Sequence, residues 1–149
     1  MEIGFLEEEI DLRVGRDGVL RTTKSILTYY SESIVNQLIV VPVGFETDLG
    51  SIPQFLQGIF PKDGKALFAY VLHDYLYKTG MFTRAESDDM LKEAMKSLNV
   101  VWWRVFFVRK GLKVGGGKAW KEHRQKQPFS YELYNKIEEV KNRYEDKNK

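Results

Sequence analysis

His73-Asp74-Tyr75-Leu76-Tyr77 holds one of the two histidines in the chain, joined directly to a carboxylate. Both sit on a stretch that otherwise reads as an apolar helix. Burying an ionisable group is costly unless it is paired, so such a cluster is either a structural network or an active site. Each residue of a helix advances by about 100°, so His73 and Asp74 point different ways. Tyr77 lies four residues past His73 and three past Asp74, and its ring can sit beside either. Ala66, Ala69 and Tyr70 share the face of His73, and small residues there let another element come close.

The next helix supplies a second carboxylate. Asp88 aligns with Leu91, Met95 and Leu98, where a core residue belongs, whereas Asp89 aligns with Lys92, Glu93 and Lys96 on a solvated face. A short connection, Gly80 to Thr83, makes the two helices antiparallel neighbours, so His73 or Tyr77 is the natural partner of Asp88. A carboxylate bonded to one imidazole nitrogen fixes the tautomer. The other nitrogen is then a base or a metal ligand. The same pairing also satisfies a core histidine with no chemistry attached, and the residues alone leave both readings open.

A second oxygen-rich group lies upstream. Thr47, Asp48 and Ser51 crowd around Gly50 where a strand gives way to a helix. Such a loop suits a hard cation such as calcium, or an anion nest at a helix start. Taken in isolation, the segment is better explained as turn chemistry, with Asp and Ser bonding local amides.

The elements that must position these groups run from strands to helices. Ile10, Leu12 and Val14 alternate with charged residues, and Arg16-Asp17-Gly18-Val19 is a hairpin turn. Val19 to Leu27 and Leu38 to Val43 are further strands, the second apolar enough to be central in its sheet. Ser51 with Gln54 forms a capping box and Pro53 suits a first turn, giving a short helix to about Gly58. Lys65 to Lys78 is a helix stopped by Thr79-Gly80. Thr83 and Glu86 cap another that runs to about Leu98. Val100 to Lys113 reads as helix, Gly115-Gly116-Gly117 as a flexible break, and Tyr131 to Tyr144 as an amphipathic helix striped by Leu133, Ile137, Val140 and Tyr144. The class is α+β: antiparallel strands and hairpins, then a bundle of three to five helices. One domain is expected over 1–127, with 128–149 a docking or assembly helix.

Bulk properties narrow the function. The 149 residues are 43% hydrophobic and 30% charged, with a net charge of +2 that does not point to a nucleic-acid target. There is no cysteine, which excludes disulfides, thiolate zinc sites and a cysteine nucleophile. No apolar run is long enough to span a bilayer, and Glu2, Glu7, Glu8 and Glu9 are wrong for a secretory signal. Arg104, Arg109, Lys110, Lys113, Lys118, Lys121, Arg124 and Lys126 lie near Trp102, Trp103 and Trp120, with Glu122 the one acid among them. Cations mixed with aromatics suit an anionic surface or nucleic acid. The reading preferred from sequence places the aromatics in the core and the cations on a solvated face. His123, in the same stretch, has no evident catalytic partner.

Two resemblances follow from these residues. Val41-Pro42-Val43-Gly44-Phe45-Glu46-Thr47-Asp48-Leu49-Gly50-Ser51-Ile52-Pro53, then Val71-Leu72-His73-Asp74-Tyr75-Leu76-Tyr77, then Arg84-Ala85-Glu86-Ser87-Asp88 and Ala94-Met95, resemble a phage and prophage family. It is known as domain of unknown function 1353, and the resemblance covers approximately residues 38–112. It implies a virion-associated or assembly protein, made in the host cytoplasm and then carried in the virion. Its partners would be other phage proteins. The C-terminal helix lies outside the resemblance, and its position and narrow stripe suit self-association, while the cations and aromatics before it suit a lipid or anionic surface as an additional partner. The HDxxY pattern also resembles phospholipase A2. That resemblance implies His73 as the base for water, Asp74 as a calcium ligand, Tyr77 as a supporting hydroxyl and Asp88 as the group orienting His73. The reaction would be calcium-assisted hydrolysis of an ester. The chain departs from that pattern in lacking the glycine-rich calcium loop and the disulfides. Asp48 and the backbone near Gly50 would have to stand in for the loop.

Overall fold

A computed structural model describes residues 2–17, 21–32, 34–47, 64 and 66–126. Asp48, Gly50, Ser51, the short helix expected after them and the amphipathic segment from Tyr131 lie outside the described residues. Among the described residues, six short strands precede three helices, the α+β order expected from the sequence. The strands are β1 (Gly4–Phe5), β2 (Leu12–Val14), β3 (Arg21–Thr23), β4 (Leu27–Ser31), β5 (Gln37–Val41) and β6 (Glu46–Thr47). The helices are α1 (Ala66–Thr79), α2 (Arg84–Ser97) and α3 (Trp102–Lys126).

The strands form two antiparallel sheets of three, in the orders β1-β4-β5 and β2-β3-β6. The expected hairpin is present as β2 against β3, with Arg13 opposite Thr22. The expected central strand is not central. β5 lies at an edge of its sheet and β4 takes the middle. Leu38 to Val41 are all buried nonetheless. A continuous apolar run records burial of both faces, which an edge strand also achieves when other elements cover it. Thr23 ties the two sheets together: its hydroxyl donates to the Pro42 carbonyl at 2.8 Å and accepts from the Phe45 amide at 2.9 Å.

α1 is the core helix, buried without interruption from Ala69 to Tyr77. A helix apolar on all sides belongs in an interior, so its polar members must find partners there. Gly80 ends it with φ +62°, donating its amide to Leu76. That left-handed position favours glycine. α2 opens on the expected capping box, with the Glu86 amide on the Thr83 hydroxyl at 3.2 Å and the Thr83 amide on the Glu86 carboxylate at 2.9 Å.

α3 differs from expectation in two ways. It runs unbroken through Gly115-Gly116-Gly117. Each glycine costs a helix about 1 kcal/mol relative to alanine. Close packing is what they provide here: a Cβ on Gly116 would stand 2.9 Å from the Tyr77 hydroxyl, and one on Gly117 would stand 3.2 Å from Arg84 Nη1. The aromatics of its first two turns are also not core. Trp102, Phe106 and Phe107 face outward, while Val105, Val108 and Leu112 are the buried side. Among the described residues, no helix is long and apolar enough to cross a membrane.

Candidate functional site

α1 and α2 place His73, Tyr77 and Asp88 together. His73 Nε2 is 2.8 Å from Asp88 Oδ1, and the Tyr77 hydroxyl donates to the same oxygen at 2.5 Å. An ionised carboxylate only accepts, so with Asp88 ionised Nε2 is the donor of this pair. Arg84, one turn before Asp88, approaches the other oxygen, with its Nε 3.8 Å from Oδ2. The His73 and Tyr77 rings lie 4.2 Å apart, and Trp120 from α3 meets Tyr77 edge-on at 5.2 Å. Three helices therefore converge on one carboxylate.

The order from interior to solvent is the informative part. His73 and Tyr77 are fully buried, while the Asp88 side chain keeps 18% exposure. Asp88 lines a cavity of about 450 Å³ with Arg84, Ala85, Asp89, Arg109 and Lys113. The carboxylate stands in front and the imidazole behind it. In the phospholipase-like arrangement the imidazole would have to face the reacting water.

Asp74 belongs to a separate cluster. Its Oδ2 accepts from the Thr47 hydroxyl and lies 3.6 Å from Lys78 Nζ, and Asp74 itself is fully buried. Lys78 also donates to the Glu46 carbonyl at 2.6 Å and sits 5.3 Å from the centre of the Phe45 ring. Thr47 thus serves Asp74 directly, tying β6 to α1. Asp74 Oδ1 has no hydrogen-bond partner among the described residues. The described residues still fit calcium poorly. The ion takes six to eight oxygens. Asp74 and Thr47 offer few, and Lys78 already brings positive charge to the carboxylate. Among the described residues no group of three or more His, Cys, Asp and Glu side chains could hold a metal.

Several members of the site carry no signal as isolated residues. Arg84 donates to the Leu112 carbonyl at 2.7 Å, fastening α2 to α3. Arg124 donates to the Tyr77 carbonyl and, at 2.8 Å, to that of Lys78, so a cation satisfies the end of α1. Its guanidinium also lies 4.8 Å from the centre of the Trp120 ring. Leu112, Gly116, Trp120 and Arg124 recur at every fourth residue and form the face of α3 that meets α1 and α2. That period is visible only once the glycines are counted as helix.

A family model described as a protein of unknown function, DUF1353, matches residues 24–109. The chain belongs to this family. The DUF1353 segment begins before the span read from sequence and takes in β4, β5, β6, α1, α2 and the first turns of α3. His73, Asp74, Tyr77, Arg84 and Asp88 all fall inside it, whereas Gly116, Trp120 and Arg124 fall outside. No curated protein and no solved structure matches the chain.

The buried phenols make one prediction. Tyr29, Tyr70, Tyr75 and Tyr77 are all pushed above the ordinary phenol value of 10.0, mainly by burial. The bond and charge of Glu93 add to this for Tyr29, and those of Asp88 for Tyr77. A raised folded-state pKa leaves stability intact below the unfolded value and removes it as pH climbs from there through the folded value. Stability is therefore expected to fall from about pH 10 upward. These four of the eight tyrosines should ionise only on unfolding, so tyrosinate absorbance and circular dichroism should change together. Ionisation of all eight in a still-folded chain would contradict it.

Proposed function

We propose that this DUF1353 protein is a phage or prophage component, virion-associated or acting in assembly, whose His73–Tyr77–Asp88 cluster is structural. The observation that carries this reading is the burial of His73 behind Asp88. A ring sealed from solvent cannot deliver a proton to or from bulk water, but it can hold a carboxylate that pins α1 to α2. The resemblance to a phage and prophage family supplies the setting. The amphipathic segment beyond Phe129 is the proposed assembly contact. Removing residues 129–149 should leave a cooperatively folding domain and reduce the fraction of the chain that co-purifies with particles. Undiminished incorporation would refute that role.

The second reading is a small hydrolase, and the cavity at Asp88 is what favours it. On this reading the roles that the resemblance implies are exchanged. Asp88, held by His73 and Tyr77, would face the substrate, with Arg84, Arg109 and Lys113 available to an anionic group. Calcium-dependent ester hydrolysis by the purified chain, lost in Asp88→Asn with folding intact, would establish this reading over the first.

A further inference from the structure

The start of α3 and the residue before it expose several large apolar side chains. Trp102 is 77% exposed, Phe107 52%, Phe106 51% and Val101 49%. Single exposed apolar side chains are ordinary, but a cluster of large ones marks a surface that something covers. The charge around it is just as uneven. α3 carries eight cations and one carboxylate, a net +7, so a whole-chain charge of +2 leaves −5 for everything else. The modest total conceals a strongly segregated distribution.

A groove of about 480 Å³ joins the two features where the end of α2 meets the start of α3. Lys92 and Lys96 line it from α2, and Trp102, Phe106 and Arg109 from α3. Lys92 is held below the ordinary lysine value by burial and then by the charges of Arg109 and Lys96, with Asp89 opposing. Asp89 pairs with Arg109 at 3.9 Å, and an anion seated among the three cations relieves the repulsion that remains. Cations beside exposed aromatic side chains match an amphiphile with an anionic head and an apolar body.

We propose that this face of α3 docks on an anionic phospholipid surface. The headgroup phosphate sits among Lys92, Lys96 and Arg109, and Trp102, Phe106 and Phe107 enter the boundary between headgroups and acyl chains. Tryptophan favours that boundary, being apolar in body and polar at one edge. Nucleic acid fits less well. Bases stack on open aromatic faces. Phe106 and Phe107 instead pack edge to face on each other at 5.7 Å, and Val101 offers no ring. This docking stands independently of the assembly reading.

The test uses the full chain and large unilamellar vesicles of phosphatidylcholine, with and without phosphatidylglycerol. Binding is read by co-sedimentation and by tryptophan emission. Expected are binding that requires phosphatidylglycerol, a blue shift on binding, and weakening by salt. The triple variant Trp102→Ser, Phe106→Ser, Phe107→Ser should lower partitioning at least about tenfold, because each side chain loses its apolar transfer. Lys92→Glu with Lys96→Glu should lower it about tenfold and erase the preference for phosphatidylglycerol. All five side chains are at least partly exposed, so circular dichroism should match the parent. The proposal is overturned by absent binding, by equal binding to phosphatidylcholine alone, or by a triple variant that binds as the parent does. It is also overturned if an oligonucleotide binds in preference to vesicles. Self-association abolished by the triple variant would overturn it too, since a second copy would then cover the face.

Discussion

Asp88→Ala is expected to destabilise the fold by about 2–4 kcal/mol, since two buried donors lose their acceptor at about 1–3 kcal/mol each. The Tyr77 hydroxyl and His73 Nε2 share Asp88 Oδ1 and are both sealed in the core. Water entering through the cavity beside Asp88 keeps the loss below that of a fully enclosed pair. For a chain of this length the midpoint should fall by roughly 5–15 °C. Asp88→Asn keeps an acceptor oxygen and should lose less. A double-mutant cycle pairing Asp88→Ala with Tyr77→Phe isolates the shared bond, because Tyr77→Phe removes the donor and little volume. Urea unfolding provides the free energies. A change within about 0.5 kcal/mol, the range of an ordinary surface substitution, would mean that the cluster does not hold the helices together.

Gly116→Leu should cost a similar amount, about 3 kcal/mol, for a different reason. Even a methyl group at Gly116 would sit 2.9 Å from the Tyr77 hydroxyl, and leucine adds bulk where α3 packs against α1. The helix must move away, weakening the Trp120–Tyr77 contact and the Arg124 bonds to the end of α1. A flexible break would behave oppositely, because replacing a glycine in an exposed helix gains up to about 1 kcal/mol. Gly116→Ala separates the two effects. It should gain stability relative to the parent only when Tyr77→Phe removes the oxygen that its Cβ meets. Equal gains with and without Tyr77→Phe would show that Gly116 is not a close-packing position.

Much of this arrangement was legible before the fold. The alternation at Leu12 and Val14 and the Thr83–Glu86 box are local signals, and the structure places a strand and a capped helix there. Asp88 on an apolar stripe stated a need for a partner, and the angular spacing of His73 and Tyr77 narrowed the choice. Other features were not local. The sheet position of β5 depends on which strands pair, and an apolar run reports burial alone. The glycines of α3 read as a break because their intrinsic preference opposes a helix. Their reason for being helical lies on α1 and α2, in Tyr77 and Arg84. The aromatics read as core because aromatics usually are, and nothing in one helix says which of its faces a neighbour will cover. Inside-to-outside order within the cluster is a property of three packed helices. Sequence could pair His73 with Asp88, but not decide which of them stands nearer the solvent.

His73→Ala, measured for unfolding free energy and for ester hydrolysis with and without calcium, tests the structural reading of the cluster most directly. The expected result is a parent with no calcium-dependent hydrolysis and a variant destabilised by about 2–4 kcal/mol as Asp88 and the space behind it lose their filling. A parent that hydrolyses esters with calcium, and a variant that loses this activity while unfolding as the parent does, would contradict it.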